Sequence, residues 1–304
     1  MSAHVETFPL RSGRVKDILT SWPAVLLFLA VLTWHSVQFR MEAIASSFWM
    51  DEGLSVGIAS YPIGDIPAML KHDGSPPLYY MLLSAWMGAF GRTEARTHML
   101  SLLAATTTVP VSFVVCWRLF DRRTGVIAAM LFASSVFLTV YAQETRMYAL
   151  MALLSLVTSL LFVTVFVARR RAWLPLFVLS LAAMLYTHGW GIFFGIGCGV
   201  AFLFLLIRGS MPRRALLVDG IIGFGAVALL FVPWLPTLLY QSAHTGAPWA
   251  KSPRFGFPVQ ISEMLGGQKV VLVLIVGSLL GLVRVVRATG EGSAEPALRG
   301  SLAD

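Results

Sequence analysis

The sequence predicts an all-α polytopic membrane protein, a bundle of about eight transmembrane helices with both termini on the same side. Three observations predict it. Of 304 residues, 57% are hydrophobic and only 12% charged, with a mean hydropathy of +0.76, more apolar side chain than a soluble core absorbs. The apolar residues fall into runs of roughly membrane length. The cations behind the net charge of +8 sit in short clusters between those runs. That spacing excludes a nucleic-acid surface and matches the positive-inside rule.

Taken in order, residues 1–21 form a cytoplasmic tail carrying Arg11, Arg14 and Lys16. The first span, 22–39, is too long for a signal-peptide core and has no small-residue cleavage site, so it is retained. Further spans are expected at 97–117, 125–141, 147–168, 172–186, 190–207, 215–235 and 270–286, read at about 20 residues each. The run 76–91 is ambiguous, and parity decides it. If it does not cross, the clusters Arg118/Arg122/Arg123, Arg169/Arg170/Arg171, Arg208/Arg213/Arg214 and Arg284/Arg287 all join the N-terminus in the cytoplasm. If it crosses, all of these flip outward, against the charge bias. Its length of about 16 residues also reaches only about 24 Å, short of a core of ~30 Å. It is therefore an interfacial or re-entrant helix within a long extracytoplasmic loop, 40–96, with Tyr79, Tyr80 and Trp86 as headgroup anchors. The transmembrane domain covers 22–288, and the Gly-, Ala-, Ser- and Glu-containing tail 289–304 is expected to be disordered. Cys116 and Cys198 lie in separate spans and support neither a disulfide framework nor a thiolate metal site.

The functional signal begins with Asp51 and Glu52, adjacent carboxylates just past the first span. Charges at a membrane boundary cost desolvation and commonly mark ion, proton or substrate chemistry. The same topology gathers Lys71, His72, Asp73, Gln143, Glu144, Arg146, Tyr148 and His188 at the extracytoplasmic boundary. Carboxylates, a histidine and an arginine on one rim could bind a divalent cation, hold a phosphate and supply a general base. Plainer readings stand beside each. The acidic pair could be solvated, His188 could cap a helix end, and Arg146 could pair with Glu144 or snorkel to lipid phosphate. Lys71, His72 and Asp73 could simply be loop residues in water.

Four motifs in order, FWMDEGLS, SPPLYYMLLSAWMGAFG, YAQETRMYAL and YTHGWG, resemble those of the GT-C membrane glycosyltransferases. Within them the chain is most similar to the bacterial branch related to protein mannosyltransferases and lipid A aminoarabinose transferases. The resemblance covers about 22–236. It implies a GT-C-like fold and an enzyme moving a hexosyl or pentosyl group from a polyprenyl-phosphate donor to a lipid, glycan or protein hydroxyl. The reaction would run at the extracytoplasmic face of the bacterial inner membrane, with inversion. By the same resemblance Asp51 is the general base and Glu52 its partner in orienting the acceptor or a metal. Arg146, Gln143, Glu144 and Tyr148 would face the donor phosphate, with Lys71, His72 and Tyr79 nearby. His188 would join Asp51 and Glu52 if a divalent metal ion serves as cofactor. Ser75 stands where many relatives have His or Lys before the Pro-Pro pair. Relatives are usually longer, so a C-terminally short member is expected.

Two other classes compete. A transporter or flippase predicts charges near the midplane and broken helices, whereas these charges sit at one boundary. An inactive member acting as a lipid-binding membrane subunit shares every motif, and only an assay separates it from an enzyme. Membrane lipids are the further expected partner, and nucleic acid is not one.

Overall fold

The apolar runs become helices, and in the computed structural model, which describes residues 21–208 and 213–245 with positions 272 and 276, those helices run up and down between two chemically different ends. Helix α1 (Trp22–Met41) opens with Pro23 in its first turn, where the missing N–H costs nothing. Three short helices follow: α2 (Met50–Ala59), α3 (Ile66–Leu70) and α4 (Leu78–Phe90). The bundle continues through α5 (Glu94–Leu119), α6 (Arg122–Ala133), α7 (Val136–Ala142) and α8 (Tyr148–Phe162), the last extended by a π-helical turn, Val163–Val167. Then come α9 (Leu174–Thr187), α10 (Gly191–Arg208), α11 (Arg213–Phe231) and α12 (Leu235–His244). The span expected at 270–286, the clusters Arg11/Arg14/Lys16 and Arg284/Arg287 and the tail 289–304 lie outside the described stretches.

Four described helices are long and apolar enough to cross a membrane, five if α6 and α7 count as one bent span, and α9 and α10 are shorter apolar helices. The run 125–141 is thus not a single straight span: α6 and α7 meet at a bend of 51°. Ser134 and Ser135 cause it. The Ser134 hydroxyl donates to the carbonyl of Met130, while the Ser135 hydroxyl oxygen accepts from the N–H of Leu138 at 3.3 Å and caps α7. Side chains that offer the backbone such bonds compete with the helical ladder.

Arg40 bonds a carbonyl next to the bend and another in α5. Its guanidinium is fully buried and donates to the carbonyls of Phe132 at 2.7 Å and Ala105 at 2.9 Å. Expected at the edge of a loop, Arg40 instead clamps α1 to α5 and α6. Close approach of α5 and α6 also requires Gly125, where an added Cβ would fall 2.7 Å from the carbonyl of Phe113.

The loop 40–96 folds into a helical cap with its own core. Ile66, Leu70, Leu83 and Met87 pack there with Tyr79 and Tyr80, beneath Met147 and Trp234. Tyr79 and Tyr80 are therefore not headgroup anchors. They are 1% and 0% exposed, their hydroxyls taken by Ser101 and Asp73. An aromatic ring this large contributes more by leaving water entirely than by lying at an interface. Helix α4 is a shorter apolar helix of 13 residues, and it ends at Gly91, whose φ of +96° suits glycine.

At one end of the bundle the arginines collect. Arg122 stacks on Trp22 at 4.3 Å, and Trp22 meets Trp117 at 4.7 Å. Buried Asp219 accepts from both Arg169 and Arg171 at 2.7 Å. The acidic pair and its partners occupy the other end.

Candidate active site

Asp51 and Glu52 enter the site because α2 begins there. Both carboxylates lie in its first turn, where free N–H groups and the helix dipole favour negative charge. Their environments then diverge. Glu52 is 2% exposed. Its Oε2 accepts from the N–H of Trp49 at 3.1 Å, and its Oε1 accepts from the N–H of Thr145 at 2.7 Å. His98, at the start of α5, completes the set. Its Nε2 lies 2.6 Å from the same Oε1, and its Nδ1–H donates to the carbonyl of Ile44 at 2.7 Å. Glu52 thus ties α2, α5 and the turn before α8 together.

Asp51 keeps 31% of its side chain exposed, with Oδ2 lying 3.6 Å from Nη2 of Arg146. Arg146 is held by α2 as well. Nη1 donates to the carbonyl of Asp51 at 3.3 Å and to the Ser55 hydroxyl at 3.2 Å, and that hydroxyl donates back to the carbonyl of Asp51 at 2.8 Å. The guanidinium faces the ring of Tyr148 at 5.8 Å, which in turn meets His188 at 5.5 Å. Asp51, Arg146, Tyr148 and His188 therefore form one continuous patch at the rim.

Glu144 is half-buried beside them. Burial raises its pKa, and the charge of Glu52 raises it further. Its Oε2 and the Nε of Arg146 are both buried without a hydrogen-bond partner among the described residues. Two unmatched polar atoms in one short segment suit a polar ligand.

His188 is held neutral. Burial, and then the charge of Arg146, push its imidazole down to about 4, and its Nδ1 accepts from the N–H of Trp190 at 3.0 Å. An unfolded imidazole takes up a proton near pH 6.5 that the folded one refuses until about pH 4, so folding stability drops as pH falls through that window. Melting temperatures measured from pH 7.5 to 4.5 should show this slope, and His188→Asn should flatten it. An unchanged slope in the variant would remove His188 as its source.

Other expected members take different places. Gln143 donates its amide to the carbonyl of Arg40 at 3.0 Å, a structural bond rather than a phosphate contact. Tyr79 lies in the cap core, bonded to Ser101, and is closed to substrate. Lys71 and His72 are seated on Tyr240 of α12, at 4.2 and 5.7 Å from its ring. Asp51, Glu52 and His188 do not assemble a metal site: among the described residues no three His, Cys, Asp or Glu side chains gather in a way that could hold an ion. Glu52 is committed to His98 and Thr145, so the set does not fit a metal and no chemistry is routed through one. His98 is the residue that reading the sequence missed. A titratable side chain just inside a span, in RTEARTHML, was the available signal.

Comparisons with known proteins bear on the family and the fold. A model of the dolichyl-phosphate-mannose-protein mannosyltransferase family matches residues 74–240. Archaeal oligosaccharyltransferase AglB from Archaeoglobus fulgidus, solved with an inhibitory peptide and a dolichol-phosphate, superposes with a TM-score of 0.55 at 15% identity, over 88% of this chain and 38% of that one. The oligosaccharyltransferase of the same organism, tethered to an acceptor peptide containing the NVT sequon, gives 0.56 at 14% identity, over 88% and 39%. At such identities the likeness shows a shared fold, and the chain spans well under half the length of either structure. No curated protein matches the chain in sequence.

Proposed function

This chain belongs to the dolichyl-phosphate-mannose-protein mannosyltransferase family, and on that premise we propose that it transfers a sugar from a polyprenyl-phosphate donor to an acceptor hydroxyl. The observation that carries the reading is the pairing of a half-exposed carboxylate, Asp51, with a buried arginine, Arg146, on one rim. A carboxylate open to solvent can take a proton, and a guanidinium held by α2 can take a phosphate. At 3.6 Å the two are near neighbours rather than a tight fork, so an arriving phosphate competes for the guanidinium and leaves Asp51 free as base.

In the proposed step the acceptor O–H gives its proton to Asp51 and its oxygen bonds to the anomeric carbon. The bond from that carbon to the phosphate oxygen breaks, and the electron pair leaves with the polyprenyl phosphate, whose added charge Arg146 offsets. Attack opposite the departing phosphate inverts the anomeric centre. The lipid phosphate already carries the free energy of transfer, so the protein supplies a base, a phosphate clamp and positioning. The arginine clusters at the far end support, by the positive-inside rule, a reading in which that end is cytoplasmic and the site faces outward from a bacterial inner membrane.

The test is a transfer assay with the protein in liposomes, a polyprenyl phosphate bearing a radiolabelled sugar, and host membranes as acceptor. Label should move into a lipid, glycan or protein fraction, with the new glycosidic bond opposite in configuration to the donor. Lipid binding without turnover across hexosyl and pentosyl donors would make the chain an inert subunit. Sugar accumulating inside the liposomes without a new bond would make it a transporter.

A further inference from the structure

A second site lies far from the carboxylates, on the arginine side of the bundle. An apolar groove of about 610 Å³ runs between α5, α8 and α9, with Val111, Leu154, Val157, Leu176 and Leu179 among its walls. Its polar wall atom, the Ser180 hydroxyl, is already bonded to Thr158 at 2.6 Å. Toward the arginine end it adjoins a cavity of about 220 Å³ whose lining includes Arg118, Thr164 and Arg170, and the two share Val114, Leu160, Leu161 and Trp173.

Charge and length together identify the occupant. Asp219 takes Arg169 and Arg171, and Arg169 adopts a φ of +60° in that turn. Arg170, between them, is left lining the cavity without an ion-pair partner among the described residues. Arg118 lines the same cavity from α5, its guanidinium over Trp117. From Thr164 to Leu154 along α8 is about 15 Å at roughly 1.5 Å per residue, the depth of one leaflet of a ~30 Å core. The groove opens sideways to the bilayer, for Val114, Trp173, Leu176 and Leu179 are all exposed. A cationic mouth at headgroup level above a dry groove one leaflet deep matches an anionic phospholipid rather than a long isoprenoid.

We propose that this groove binds an anionic phospholipid of the arginine-side leaflet, its phosphate between Arg118 and Arg170 and an acyl chain along Val111, Leu154 and Leu179. The site is independent of sugar transfer, since it shares no residue with the rim at Asp51.

The test is lipid binding by the full chain in detergent, read by native mass spectrometry, with phosphatidylglycerol and phosphatidylcholine of identical acyl chains as probes. The wild type should retain phosphatidylglycerol about tenfold more tightly. Arg118→Gln with Arg170→Gln should remove that preference by lowering phosphatidylglycerol binding more than phosphatidylcholine binding, and Arg118→Lys with Arg170→Lys should keep it. Leu179→Trp, which fills the groove, should lower retention of both lipids. Equal retention of the two lipids by the wild type would overturn the proposal, as would a preference that survives the double glutamine variant. Displacement of phosphatidylglycerol by polyprenyl phosphate at lower concentration would overturn it too, since the groove would then be an isoprenoid site. If the glutamine variant does not fold, the wild-type preference and the Leu179→Trp arm decide the matter.

Discussion

Asp51→Asn lowers sugar transfer by about two to four orders of magnitude, the range a positioned general base supplies, while protein abundance and melting temperature stay unchanged. The stability side follows from place. Asp51 is partly in water, and its carbonyl, not its carboxylate, takes the short bond from Ser55 at 2.8 Å. An asparagine of the same shape keeps those backbone contacts and still faces Arg146. What it loses is the capacity to accept a proton from a hydroxyl. Release of polyprenyl phosphate from a labelled donor, followed in liposomes, is the measurement. Undiminished release in this variant would exclude Asp51 as the base, whatever the protein's other activity.

His98→Leu destabilises the folded chain by about 1–3 kcal/mol, the usual cost of leaving a buried polar group without its hydrogen-bond partner. Glu52 would then keep two backbone donors, Thr145 and Trp49, and lose the imidazole of His98. Nothing nearby replaces it, because Arg146 is engaged with Asp51 and Ser55. The penalty belongs to the uncompensated carboxylate rather than to lost packing, so Glu52→Gln added to His98→Leu should recover a large part of it. Thermal unfolding of the two single variants and the double variant in detergent measures the coupling. Strictly additive losses would show that the two side chains do not stabilise one another, and Glu52 would regain its standing as a group free for substrate.

These two experiments divide a pair that looks uniform in sequence. Adjacent residues on a helix point about 100° apart, so one carboxylate of the first turn of α2 faces the core and the other faces the rim. Reading along the chain assigned both to chemistry. The fold keeps Asp51 at the rim and commits Glu52 to holding α2 in register with α5 and the turn at Thr145. Tyr79 and Tyr80, whose aromatic character placed them at a headgroup boundary, are both taken in by the cap core.

The sequence by itself determined the helical class, the short helix α4 and the segregation of the arginine clusters from the acidic pair. Apolar length and cluster parity are properties of the linear chain, and a membrane environment constrains them strongly. It also determined that Asp51, Arg146 and His188 belong to one end, since each sits next to a span terminus. Only the tertiary structure decided which side chains touch there. His98 meets Glu52 across 46 residues and Arg146 meets Asp51 across 95, and those contacts depend on how each helix is turned about its axis. Hydropathy averages over that rotation, whereas packing against three or four neighbours fixes it.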